Sequence, residues 1–259
     1  MSLREKLKKI ALLKYAVITA RTFEYRPSLF KRIKSLLRFL NDYRRFQRIH
    51  TNMRMLLQAA DLYPCLYDNT NTTPLDPIYF YQDTWCAAKI FEAKPKHHYD
   101  IASKAEMVGI VSQFTPTTMI DIRPLPVTLK NLSFVQGDIL HLPFADDSIA
   151  SLSCICVLEH IGLGRYGDPL DPFGSEKAIQ EMKRVLAPGG SLYISVPVDA
   201  KNKVYFNAHR AFTRNYMLEQ NAPLVLVEEK YIYGNELVDH YQAARGFGTG
   251  LYYFRKALI

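Results

Sequence analysis

Three aspartates in the middle of this 259-residue chain, Asp100, Asp121 and Asp138, fall at intervals of about 20 residues, each at the end of a short apolar segment. In the place of Asp121 a carboxylate can accept both hydroxyls of a ribose, a bidentate contact that neutral side chains make less well. Asp138 can accept a hydrogen bond from an exocyclic amine of adenine while the backbone N–H of Ile139 serves a ring nitrogen. Taken singly, each is an ordinary turn or cap residue. Taken in order and register, they point to a nucleoside-shaped ligand. Glu159 and His160 follow the apolar run Ile149–Leu158. At the end of a buried strand they are candidates to remove a proton, because an imidazole with an ordinary pKa near 6.5 works at neutral pH. His209 ranks second for that role. The loop Ile161–Gly174 carries four glycines with Arg165, Tyr166, Asp168 and Asp171. With Asn207 and Arg210 it offers many hydrogen-bonding groups and few apolar anchors, which suits a polar small molecule. Cys154 and Cys156 read as core thiols of a strand. No His/Cys/Asp spacing suggests a metal site.

The elements that must position these residues alternate. Strand candidates are Tyr99–Ile101, Thr117–Ile122, Ser133–Gln136, Ile149–Leu158, Ser191–Val196, Leu224–Val227 and Leu251–Arg255. Helical periodicity runs over Lys104–Phe114, then over a segment capped by Ser175 with Ile179, Met182, Val185 and Leu186 on one face, and over Thr213–Glu219. Pro188-Gly189-Gly190 stops the second of these helices. Alternating strands and helices call for a mostly parallel sheet covered on both faces. The last two strands have no helix-length segment between them, which suits an antiparallel pair. In such sheets ligands bind beyond the carboxyl ends of the strands, and the acidic residues above stand there.

The layout resembles the class I S-adenosylmethionine-dependent methyltransferases over roughly residues 97–256. The resemblance rests on Asp121-Ile122-Arg123, on Gly137-Asp138-Ile139 with Leu142-Pro143-Phe144-Ala145-Asp146-Asp147-Ser148, on Val157-Leu158-Glu159-His160, and on Arg184-Val185-Leu186-Ala187-Pro188-Gly189-Gly190-Ser191-Leu192. The stretch from Glu159 to Pro169, with Phe206-Asn207-Ala208-His209-Arg210, is similar to an uncharacterised branch of that superfamily. The resemblance implies a Rossmann-like, doubly wound α/β sheet, mostly parallel with an antiparallel last strand, and S-adenosylmethionine as cofactor. The sequence departs from the family at its first turn. Where the family carries a glycine-rich loop, this chain has Asp100-Ile101-Ala102-Ser103-Lys104-Ala105-Glu106. If Ala102 takes a positive φ it carries a cost of about 1 kcal/mol, and Ser103 with Lys104 would have to hold the cofactor's carboxylate. The implied activity is methyl transfer, with O-methylation of a polar small molecule, sugar or glycan intermediate as the leading expectation. The alternative is a non-catalytic scaffold on the same fold, which the altered turn favours. A nicotinamide-dependent dehydrogenase is disfavoured by the lack of G-x-G-x-x-G after the first strand.

Residues 1–60 read as a basic amphipathic helical extension, 61–96 as a linker and 97–259 as the α/β domain. Residues 1–58 hold 15 Lys/Arg against three acids, a net of +12, whereas the rest holds 18 against 22. Leu3, Leu7, Ile10, Leu13 and Val17 form one apolar stripe; Leu29 to Leu40 form a second, capped by Ser28. Such helices suit packing on the domain or a second copy of the chain, or a basic face resting on anionic lipid. Nucleic acid is disfavoured because no binding module accompanies the charge. No run reaches the roughly 18 to 20 apolar residues of a membrane span. Four cysteines without a CxxC pair suit a reducing cytoplasm, including a place peripheral to the inner face of a membrane.

Overall fold

The computed structural model describes residues 28–258. The chain divides into two compact units, Met1–Pro74 and Leu75–Ile259. The helix expected over Leu3–Val17 lies outside the described residues. In the first unit, α1 (Leu29–Ile49) begins at Ser28, whose hydroxyl accepts a hydrogen bond from the Lys31 N–H at 3.3 Å. A short 3-10 turn follows at Ala59–Asp61.

The second unit opens with α2 (Pro77–Ala93), inside the segment that the sequence reads as a linker. Asp76 caps it through Oδ1, and proline occupies its first turn, where no N–H is needed. Its aromatic residues lie on several sides of the helix, so the run shows little of the three-to-four periodicity by which helices are read. Then come β1 (His98–Ile101), α3 (Ala105–Val111), β2 (Thr117–Asp121), β3 (Leu132–Gln136), β4 (Ile149–Ile155), α4 (Gly174–Val185), β5 (Leu186–Val198), β6 (Lys203–Tyr205), β7 (His209–Ala211), α5 (Arg214–Asn221), β8 (Val225–Tyr233), β9 (Glu236–Val238) and β10 (Gly248–Arg255).

The main sheet runs β3-β2-β1-β4-β5-β10-β8-β9. Strands β1 to β5 pair in parallel, and β10 lies antiparallel between β5 and β8. This is the doubly wound sheet with an antiparallel late strand that the sequence predicts, extended by the β8–β9 hairpin. Both faces are buried: all five residues of β2 and six of the seven in β4 are buried. On one face Trp85, Cys86 and Ile90 of α2 pack with Met107, Val108 and Val111 of α3. On the other, Ile179, Met182 and Val185 of α4 pack with Leu152, Cys154 and Ile194. Strand order reverses between β1 and β4, which opens the crevice beyond their carboxyl ends.

Two boundaries differ instructively. Strand β4 stops at Ile155 and not at Leu158, because Cys156 turns into the left-handed region at φ 54° and Leu158–His160 coils into a 3-10 turn. Ser175 does not cap α4; Phe173 holds that position and makes no side-chain cap. Ser175 is fully buried, and its hydroxyl donates to the Leu158 carbonyl at 2.7 Å.

Candidate active site

A cavity of about 330 Å³ opens at the sheet's switch point, within the size range of small-molecule sites. Its walls come from the turns after β1, β2, β3 and β4 and from the loop beyond His160. Asp121 and Asp138 both line it, with Ile139 beside them. Ile101, Ile120, Ile122 and Val157 supply apolar wall. Gly137 is required here: a Cβ at that position would stand 2.9 Å from Ile120 Cγ2.

Asp100 does not join them. It belongs to β1, buried, where its carboxylate accepts from the Ser103 N–H at 3.0 Å and from the Ser153 hydroxyl. Burial pushes its pKa up to about 6, against those hydrogen bonds. The reason is pleat parity: Asp100 shares a face with His98, whose ring reaches Ser151 and Ser153 at 2.8 and 2.9 Å. Burial lowers the His98 pKa to about 3, so this imidazole is neutral. Ser103 is also committed: its Oγ accepts from the Ile155 N–H at 3.0 Å, and its side chain hydrogen-bonds the Asp100 carboxylate. The convergence of three carboxylates therefore reduces to two, and Ser103 is not free to hold a ligand's carboxylate.

Ala102 lines the cavity with φ 50°. Its N–H donates to the Ile120 carbonyl at 2.7 Å, which fixes the turn. The left-handed conformation that the altered glycine loop raised as a question is thus adopted by an alanine.

His160 lines the cavity, whereas Glu159 lies buried behind it. The imidazole Nδ1 stands 2.7 Å from the Ala208 carbonyl, which can only accept. Nδ1 therefore carries the proton and Nε2 keeps its lone pair. Arg165 Nη1 donates to the same carbonyl at 2.9 Å. Burial, aided by Arg165 and His209, lowers the His160 pKa to about 4. Glu159 Oε1 lies 3.6 Å from Nε2, and Oε2 has no hydrogen-bond partner among the described residues. Burial pushes the Glu159 carboxyl up to about 8, so it is protonated at neutral pH.

The remaining predicted residues separate by role. Tyr166 lines the cavity, edge-on to His160 at 5.5 Å. Asp168 also lines it, but its carboxylate accepts from the N–H groups of Gly162, Gly164 and Tyr166. Burial would raise its pKa; these backbone donors outweigh that and hold it below the usual range. Arg210 is buried, donating to the Ile161 and Asp171 carbonyls and to Ser175 Oγ. It braces the loop from behind, through the wall residue Ile161, and does not itself line the cavity. His209 and Asn207 lie on the β6–β7 hairpin and do not line the cavity, although the hairpin meets His160 through Ala208; His209 packs on Tyr205 at 5.1 Å and Phe247 at 5.6 Å. Arg165 meets the hairpin through Ala208. Two of the loop's glycines are tight contacts: a Cβ on Gly162 would lie 2.1 Å from the Asp171 carbonyl oxygen and one on Gly174 2.5 Å from the Ile161 carbonyl oxygen.

Two wall residues escaped the sequence reading. Arg123 grips Asp121 through Nε and Nη2 at 3.2 and 3.0 Å, and its guanidinium lies 4.9 Å from the Tyr166 ring centroid. The signal was present, a cation two residues beyond the strand-end carboxylate, but its direction was not. Cys156, read as core, lines the cavity; its thiol donates to Gln82 Oε1 of α2 at 3.0 Å, and burial raises its pKa well above the ordinary value.

The chain matches the N-methyltransferase NodS from Bradyrhizobium japonicum WM9 with a TM-score of 0.51 at 18% identity, over 70% of this chain and 98% of that one. It matches the 1,6-didemethyltoxoflavin-N1-methyltransferase of Burkholderia thailandensis, solved with its namesake compound and S-adenosylhomocysteine, with a TM-score of 0.51 at 15% identity, over 73% and 93%. The fold is that of the class I S-adenosylmethionine-dependent methyltransferases. Residues 140–219 also match a family model described as "Caenorhabditis protein of unknown function, DUF268". No curated protein matches the chain. Among the described residues no group of three or more His, Cys, Asp or Glu is placed to hold a metal ion, and no helix is long and apolar enough to cross a membrane.

Proposed function

We propose that this protein is an S-adenosylmethionine-dependent methyltransferase acting on a polar small molecule, sugar or glycan intermediate, with an oxygen as the methylated atom. The observation that carries the reading is the pairing of Asp121 and Asp138-Ile139 in one apolar-walled cavity at the switch point. These groups fit the cofactor: a carboxylate for vicinal hydroxyls, a second for an exocyclic amine, and isoleucine surfaces for a flat ring. The bound cofactor would supply an electrophilic methyl group. The chain's own residues orient the acceptor and receive its proton. His160, neutral with Nε2 unprotonated, is the base at the cavity wall, and Tyr166 flanks it. Glu159, protonated behind it, adds no further negative charge beside the imidazole. The free cysteines suit a reducing cytoplasm.

A second reading, a scaffold on the same fold, is favoured by one observation: Arg123 clasps the Asp121 carboxylate that the ribose would need. Calorimetric titration with S-adenosylhomocysteine separates the two. A methyltransferase binds it, gaining about 2.7 kcal/mol of stability at 100-fold excess over the dissociation constant, and Asp121→Ala abolishes the gain. No heat and no melting shift at millimolar ligand would refute the enzyme.

A further inference from the structure

Helix α1 is unlike the helices of the α/β domain. None of its 21 residues is buried. It carries seven Lys/Arg and one acid, Asp42. At 100° per residue, Leu29, Ile33, Leu36, Leu37 and Leu40 fall on one arc, and Lys31, Lys34, Arg38 and Arg45 on the opposite one; the leucine arc ends at Leu40, and Arg44 takes its angle one turn on. The apolar arc is open to solvent, with Leu29 72% and Leu37 61% exposed. A helix that left such a face in water would give up the burial that ordinarily maintains it.

We propose that α1 lies in the plane of an anionic lipid surface, its leucine arc sunk at the headgroup boundary and its basic arc against the lipid phosphates. Charge decides the occupant. A second copy of the chain would bring two segments of net charge +12 together, whereas anionic lipid neutralises the basic residues and accepts the apolar face. The following segment of the same unit adds exposed Met53, Met55 and Leu56. The proposal is independent of the enzyme reading, because it rests on no residue of the cavity.

The test uses the full chain in sedimentation with vesicles of phosphatidylcholine alone or with one-third phosphatidylserine. Pelleting is expected only with the anionic vesicles and falls as salt rises. Each basic residue near such a surface is worth about a five-fold factor in partition. Lys31→Gln, Lys34→Gln and Arg45→Gln together should therefore weaken binding about 100-fold. Leu36→Asp with Leu37→Asp should abolish it while the melting temperature of the α/β domain stays unchanged. Equal pelleting with neutral vesicles, or none with either, would overturn the proposal. So would light scattering that shows a dimer in lipid-free solution dissolved by the Leu36→Asp, Leu37→Asp variant.

Discussion

Replacing Glu159 by glutamine should change how stability depends on pH more than it changes stability itself. In the unfolded chain this carboxyl ionises at its ordinary value of 4.5; in the fold, burial holds it protonated up to about 8. The folded state therefore binds one proton more than the unfolded state between these values, and stability falls as pH rises. The contribution is complete below pH 4.5, declines by about 1.4 kcal/mol per pH unit, and levels off above pH 8. Between pH 5 and pH 8 the loss is on the order of 4 kcal/mol, a large part of the 5 to 15 kcal/mol typical of a folded domain. His160 works in the opposite sense. Lowered to about 4 from 6.5, it contributes stability above pH 6.5 that is lost as pH falls toward 4. Comparing Glu159→Gln with the wild type cancels the histidine, since the amide keeps the carboxyl's shape. Urea unfolding at pH 5, 7 and 8 gives the free-energy difference directly. The variant should gain on the wild type steadily across that range, by on the order of 4 kcal/mol in total. A difference independent of pH would refute the buried, protonated carboxyl and with it the electrostatic account of the site.

The turn after β1 offers a test of the opposite kind, in which a substitution should help. Ala102→Gly removes a Cβ from a residue at φ 50° and should stabilise the fold by about 1 kcal/mol, raising the melting temperature by roughly 2 to 4 °C in calorimetry. The same variant should tighten S-adenosylhomocysteine binding, because Ala102 lines the cavity; a lower melting temperature would contradict the strain. Gly162→Ala should behave in reverse: with φ 82° and the Asp171 carbonyl oxygen 2.1 Å from the new Cβ, it should cost more than 1 kcal/mol, measured by urea unfolding.

Much of the architecture was legible because it follows from periodicity. Alternating apolar strands and helices and the missing helix before the last strand together specify a parallel sheet with an antiparallel late strand; the stop expected at Pro188-Gly189-Gly190 comes earlier, the helix ending at Val185 and those three residues lying inside β5. Helix α2 was not legible, since its aromatics point in several directions and hide the repeat that marks a helix. At the site the aspartates at 121 and 138 could be placed, because a residue at the end of a parallel strand faces the crevice whatever surrounds it. Asp100 could not be, because one step back along the strand the pleat turns its carboxylate to Ser153.

What remained undecided was which polar residues meet a ligand and which meet the protein's own backbone. Asp168 and Arg210 have the composition of a binding loop, yet one gathers three N–H groups and the other three carbonyls. Their partners lie between two and 49 residues away, and only folding brings the distant ones near. The sequence by itself determined the order of the strands' contents and hence the crevice and its two carboxylates. The tertiary structure decided protonation and direction. Burial keeps Glu159 protonated and His160 neutral, the Ala208 carbonyl selects the imidazole tautomer, and Arg123 clasps Asp121. Each of these depends on a dielectric environment or a neighbour that no local pattern encodes.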